Sequence, residues 1–189
     1  METVLGIIVG IGLSAACGFR IFVPLLIMNL AAWSGHLHLA PGFEWIGSAP
    51  ATAAFGTATV VEILAYYIPW LDHLLDGVAT PAAVIAGTLA TASLITDFPP
   101  FLKWTLAVIA GGGAAGLVQG ATAITRIKSS LLTGGLGNAV VATLEIIGSV
   151  VTALLALFVP VLCILLILSL CLFIMIKAGR FVFGRPKST

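Results

Sequence analysis

Charge is what this sequence withholds. Eight basic and seven acidic side chains are spread over 189 residues, against 60% apolar residues and a mean hydropathy of +1.21. A soluble domain carries about 25% charged residues, so this composition excludes that class and reads as an integral membrane protein. With a net charge of +1 there is no basic patch to neutralise phosphates, and a nucleic-acid partner is excluded. Cysteine is also scarce: Cys17, Cys163 and Cys171 fall in apolar runs, form no Cys-x-x-Cys pair and predict no disulfide. HExxH, the P-loop, the nucleophile elbow and a paired Ser-His-Asp set are all missing, so neither an enzyme nor a cofactor is expected. Gly10-Ile11-Gly12-Leu13-Ser14-Ala15 fits the dinucleotide fingerprint by letters, yet no acidic residue follows about 20 positions later and no βαβ pattern surrounds it.

What the chain does have is long apolar runs. A spanning helix needs roughly 20 such residues, and five segments approach or exceed that: Val4–Trp33, Pro50–Tyr67, Pro81–Ile95, Trp104–Thr125 and Asn138–Ile176. The last is too long for one crossing at about 1.5 Å per residue, so a tight turn near Phe158-Val159-Pro160 divides it and six spans are predicted. Glu2 stands where a signal peptide would carry Lys or Arg, and the first segment is read as retained. With six spans, Arg126, Lys128, Lys177, Arg180, Arg185 and Lys187 collect on the side of both termini and only Lys103 on the other. The positive-inside rule then places both termini in the cytoplasm. The loop carrying His36, His38 and Glu44 faces outward, with Trp33 and Trp45 as interfacial anchors, and the basic tail GRFVFGRPKST meets anionic headgroups.

A repeat organises these spans. Shifting the chain by 106 positions brings Gly6 onto Gly112, Gly10 onto Gly116, Ser14 onto Gly120, Arg20 onto Arg126 and Leu25-Leu26 onto Leu131-Leu132. Small residues at every fourth position, extended to Gly18, form stripes that let helix backbones approach closely in lipid. Further on, Glu62 answers Glu145 and Pro81 answers Pro160. The expected fold is therefore an all-α polytopic membrane helix bundle of about six transmembrane helices, built as two inverted three-helix repeats, residues 1–99 and 100–189. A homodimer joined at the Gly stripes is expected, with the lipid bilayer and an unknown ion or small solute as further partners.

Within this oily frame the few charges stand out. A charged group at the centre of a membrane helix costs about 2.5–3.5 kcal/mol on insertion scales. Arg20, Glu62, Arg126 and Glu145 are therefore expected to meet one another or a water-filled path, with Gln119 and Asn138 as neutral polar lining. The plain alternatives are that the arginines snorkel to the interfaces, or that buried ion pairs only fix helix register. Asp72, His73 and Asp76 are weak metal candidates because two carboxylates four apart share a helix face; a solvated turn after Pro69 is the plainer reading. His36 and His38, with Glu44 in the same loop, read first as an exposed pair.

Several of these stretches carry a resemblance. Gly18-Phe19-Arg20-Ile21-Phe22-Val23-Pro24, then Leu39-Ala40-Pro41-Gly42-Phe43-Glu44, then Glu62, Tyr66-Tyr67-Ile68-Pro69-Trp70-Leu71-Asp72 and Asp76 resemble the bacterial membrane family DUF4126 over nearly the whole chain. The second half is looser. Many members of that family carry His-Ala-Thr-Lys where this chain has Gln119-Gly120-Ala121-Thr122. The resemblance implies the membrane class and assigns no substrate.

Three functions remain in view. The first is a small transporter or channel whose path is lined by Arg20, Glu62, Gln119, Arg126, Asn138 and Glu145. The second is a structural or assembly protein with buried ion pairs. The third is an intramembrane lipid-acting enzyme using Asp72, His73 and Asp76.

Overall fold

Pro24 sets the first feature of the architecture. A proline inside a helix has no N–H for the carbonyl four residues back, and its ring clashes with that carbonyl, which here belongs to Arg20. The computed structural model, which describes residues 2–183 with side chains at 3–68, 75, 77–173 and 176, accordingly has two helices where one was predicted. Helix α1 (Glu2–Cys17) ends, the chain turns through residues 18–21, and α2 (Phe22–Trp33) doubles back along it. At 12 residues α2 is about 18 Å long, well short of a hydrocarbon core of about 30 Å.

The remaining elements follow their local signals. Ser48 caps α3 (Ala49–Ala65) by accepting the Ala51 N–H at 3.3 Å, and Asn29 of α2 ties down the preceding loop by donating to the Ser48 carbonyl at 3.3 Å and accepts from the Thr52 hydroxyl of α3 at 2.8 Å. Helix α4 (Pro69–Ala92) begins at Pro69, whose missing N–H falls among donors that a helix start leaves unpaired anyway. The turn expected after Pro69 is thus helical backbone, and Pro81, where the third apolar segment begins, lies inside the helix. Helix α5 (Pro100–Leu106) runs through a widened π turn, Ala107–Gly112, into α6 (Gly113–Thr133). Gly134 and Gly135, at φ +61° and +93°, stop α6 in the left-handed region that glycine enters without strain. Helix α7 (Asn138–Phe158) turns at Val159 into α8 (Pro160–Phe183), at the predicted place.

The fold is all α, with no strand among the described residues. Two rods, Pro100–Thr133 and Asn138–Phe158, are long and apolar enough to cross a membrane; α1, α2, α3 and the apolar stretches Gly77–Ala92 and Pro160–Phe173 are shorter. Large apolar side chains such as Val60, Ile85, Ile109, Ile124, Leu144 and Leu165 face outward on every long helix, an arrangement that suits lipid better than water.

Packing centres on α1 and α4, and small residues make it close. A Cβ placed on Gly6 would come 2.5 Å from the Leu94 carbonyl oxygen, and one on Gly10 would come 2.9 Å from the Thr91 Cα. Ser14 continues the contact, its hydroxyl 2.8 Å from that of Thr91 and bonded to the carbonyls of Gly10 and Gly87. On α6 and the π turn before it, Gly112 meets Thr88 and Gly116 meets Val84, so the second stripe closes on α4 as well. Gly18 lies against the Ala115 carbonyl and Val118. Gly120 shares the spacing but has nothing within 4 Å of its Cβ position.

These contacts also fix the relative direction of the helices. Residues 6, 10 and 14 pair with 94, 91 and 87, and residues 111, 112 and 116 with 91, 88 and 84, so both striped helices run antiparallel to α4 and parallel to each other. An in-plane two-fold axis would set them in opposite senses, so the inverted pairing of the stripes is not met. The halves 1–99 and 100–189 hold four and three rods, and α1 packs on α6, α7 and α8 as well as on α4. The extra reversal before Pro24 also changes the parity of the rods. Thr3 donates to Asp97 at 2.6 Å, which puts the start of α1 at the end of the bundle opposite the turn at residues 134–137.

Candidate functional site

The break between α1 and α2 leaves backbone donors in need of acceptors. The first N–H groups of a helix have no partner within it, and they carry the positive end of its dipole. Helix α3 runs antiparallel to α2 and supplies the acceptor from Glu62, one turn before its end. Oε1 accepts the Ile21 N–H at 2.8 Å and Oε2 accepts the Phe22 N–H at 3.0 Å. Glu62 is 7% exposed. It caps a half-helix from a different element.

Arg20 stands in that turn and is 1% exposed. Its Nη2 donates to the Ala142 carbonyl at 3.0 Å and lies 3.1 Å from Glu145 Oε2, both on α7. Arg126 on α6 grips the same carboxylate at two points, Nε donating to Oε1 at 2.8 Å and Nη2 to Oε2. One buried carboxylate therefore joins the helix break to α6. Tyr66, one turn past Glu62 on α3, lies beneath both cations, its ring centroid 3.8 Å from Arg20 Cζ and 4.2 Å from Arg126 Cζ. A ring so placed attracts a desolvated guanidinium by about 2 kcal/mol. On the far side, Ser149 of α7 donates to the Ala16 carbonyl at 3.1 Å and fixes α7 against the last turn of α1.

The hydrogen bonding of this group is incomplete. Nε and Nη1 of Arg20, and the hydroxyl of Thr59, are buried with no hydrogen-bond partner. Leaving a buried donor unpaired costs about 1–3 kcal/mol and more when the group is charged, so the site holds polar capacity that the protein itself does not use.

The structure thus brings Arg20, Glu62, Arg126 and Glu145 together, buried, with Arg20 in the turn between α1 and α2 and Arg126 about two turns before the end of α6. The pairing is unequal: Glu145 takes both arginines and Glu62 takes backbone. Gln119 is buried on α6 where its backbone backs Gly18, and Thr122 donates to its carbonyl at 2.9 Å. Asn138 opens α7 and bonds Ser130 of α6 at 3.0 Å, a tie between the same two helices on the turn side of the ion pair. The side chains of Asp72, His73 and Asp76 lie outside the described residues. His36 is 2.9 Å from the Ser34 hydroxyl and Glu44 accepts the Gly42 N–H at 2.8 Å, so each serves its own loop. Among the described residues no group of three or more His, Cys, Asp or Glu could hold a metal ion. Sequence reasoning missed Tyr66 as a member of the site. Its signal was spacing, since Tyr66 caps α3 four residues after Glu62, with Thr59 buried three before it on the same face.

A family profile described as "Domain of unknown function (DUF4126)" matches residues 7–179, which include every residue of this group. Neither the curated proteins nor the solved structures contain a match.

Proposed function

We propose, from the premise that the chain belongs to the DUF4126 family, that it is a small multi-pass membrane transporter or channel-like protein whose ion or solute passes the Arg20, Glu62, Arg126, Glu145 group. The observation that carries this reading is the helix broken at Arg20 with a carboxylate from another helix on its exposed N–H groups. Broken helices whose half-helix ends face a polar site are the recurrent way for membrane carriers to bind a solute within the bilayer, because non-helical backbone is tolerated there only where it is enclosed by protein or lines a cavity. The paired charges, set in a bundle clothed in apolar side chains, suit the same role.

The membrane placement proposed with it has the lipid-facing helices crossing the bacterial inner membrane. Trp33, Trp45 and Trp104 are exposed at the end where α2 stops and α5 starts, as an interfacial belt. Lys128, near the end of α6, belongs to the opposite end, which the positive-inside rule assigns to the cytoplasm.

One observation favours a second reading, that of a structural membrane protein. Arg126 and Glu145 satisfy each other at two points, which is the geometry of a pair that fixes helix register. Reconstitution separates the two. Proteoliposomes of the purified chain should pass an ion or small solute in a screen of candidate salts, and Glu62→Gln, which removes charge without volume, should reduce that flux at least tenfold while the fold is kept. Flux equal to that of protein-free liposomes for every solute would support the structural reading instead.

A further inference from the structure

We propose, resting on the membrane placement above and not on transport, that a cleft at the end of α1 and α2 away from Arg20 binds an acyl chain of a phospholipid, with the lipid phosphate at His36 and His38. The two helices meet at the turn through residues 18–21, and the cleft lies between their other ends, with the last turn of α7 completing it. Its volume is about 710 Å³, within the range of about 300–1,000 Å³ usual for small-molecule sites. Along α2 it runs from Ile27 to Ser34, about 10 Å, or a third of a hydrocarbon core of about 30 Å.

Polarity is divided along that length. Val9, Ile27 and Leu154 wall the inner part, and Ser34, His36, His38 and Thr96 all lie at the outer end, where α2 and α4 have stopped. Water has little hold on the inner part, because an ordered water needs about two to four polar partners and these side chains offer none. The occupant there must be apolar, and in a bilayer that is hydrocarbon. A plain alkane leaves the rim unanswered. The rim follows directly on Trp33, one of the exposed tryptophans assigned to the interface, so a headgroup reaches it while its chain runs inward. Imidazole N–H groups donate and a phosphodiester accepts. Asp97 takes the Thr3 and Thr96 hydroxyls and Glu44 takes the Gly42 N–H, so neither carboxylate claims the imidazoles. Val9 and Leu94, 6% and 3% exposed, stand in the wall, deeper than the lipid that surrounds the bundle reaches.

The test uses the purified full chain in nanodiscs of phosphatidylcholine, a fraction of it carrying a photoreactive diazirine within one acyl chain. Peptide mass spectrometry should find adducts at Val9 and Leu94 at least fivefold above those at Leu13, a fully buried position further along α1. Ile27→Trp, which fills the cleft, should lower these adducts at least fivefold and leave those at Ile124 and Leu165 on the outer surface unchanged. In case this variant fails to fold, His36→Ala with His38→Ala changes two exposed side chains only: native mass spectrometry after detergent exchange should show one phospholipid kept by the wild-type chain and at least fivefold less kept by the double variant. Adducts at Val9 and Leu94 no higher than at Leu13 overturn the proposal, and lipid kept equally by the histidine variant overturns the place given to the phosphate. Disulfide-linked dimers of Leu30→Cys in place of lipid adducts would assign the cleft to a second copy and overturn it as well. A chain recovered from the aqueous fraction without detergent overturns the membrane placement and this site with it, whereas missing adducts in a chain that needs detergent overturn the site alone.

Discussion

Arg126 and Glu145, 19 positions apart on neighbouring helices, meet through two parallel contacts: Nε to Oε1 at 2.8 Å and Nη2 to Oε2, with the two residues 3% and 4% exposed. A guanidinium and a carboxylate joined as two forks gain direction as well as energy. Removing one partner from such a buried pair costs about 3–5 kcal/mol, because the other charge is left in apolar surroundings. Glu145→Gln should therefore lower the thermal midpoint of the detergent-solubilised protein more than any exposed substitution does, and Glu145→Gln combined with Arg126→Met should recover part of the loss. A single variant as stable as the wild type would show that the pair is solvated.

Glu62 is bonded differently, and its loss should read differently. Glu62→Ala orphans the Ile21 and Phe22 N–H groups at about 1–3 kcal/mol each, and the damage should be local to the start of α2. Hydrogen exchange of a peptide covering residues 18–24 should accelerate while peptides from α7 keep their protection. Glu62→Gln retains one carbonyl acceptor and should fall between the two.

Gly18 and Gly120 separate close packing from spacing. A methyl group on Gly18 would stand 2.5 Å from the Ala115 carbonyl oxygen and 2.6 Å from the Val118 Cβ, whereas one on Gly120 meets nothing within 4 Å. Overpacking of this kind costs about 1–3 kcal/mol. Gly18→Ala should lower thermal stability by that amount, and Gly120→Ala should leave it unchanged or raise it slightly through helix propensity, by less than about 1 kcal/mol.

Asp97 provides a pH test at the end of the bundle away from the site. The Thr3 hydroxyl, 2.6 Å from its carboxylate, and a second hydrogen bond from Thr96 hold its pKa below the ordinary carboxylate value. A depressed folded-state value contributes stability above the unfolded value of about 3.9, and that contribution is lost as pH falls through the lower folded value. Thr3→Ala should move the Asp97 carboxyl resonance toward the ordinary titration midpoint in ¹³C-detected NMR and should reduce the difference in stability between neutral and acid pH.

How much of this was legible in the letters depended on whether a signal was local. The all-α class and the turn at Val159 were readable from apolar run lengths, and the joining of Arg20, Glu62, Arg126 and Glu145 because charge is so costly in an apolar chain that isolated ionised groups must find one another. The break after Cys17 is written in Pro24, but hydropathy is blind to a missing N–H, so the apolar run reads as one helix where the structure has two, and the count of rods changes with it. The direction of the striped helices was not legible at all. Small residues at every fourth position say that a backbone comes close but not whose, and both stripes turned out to face α4. The division of labour between the two glutamates was equally hidden, since it depends on which helix passes the break.

The central claim, that the Arg20 group is a place a solute reaches and not a sealed tie, is tested most directly by access from water. Thr59, buried on α3 one turn before Glu62, can be changed to cysteine with little change of volume, in a background where Cys17, Cys163 and Cys171 are alanine. In sealed proteoliposomes a small, charged methanethiosulfonate reagent should label Thr59→Cys. A cysteine at Ala153, which is fully buried on α7 about two turns beyond Glu145, sets the rate of a sealed position. Labelling at Thr59→Cys no faster than at Ala153→Cys, from either side of the membrane, would contradict the account.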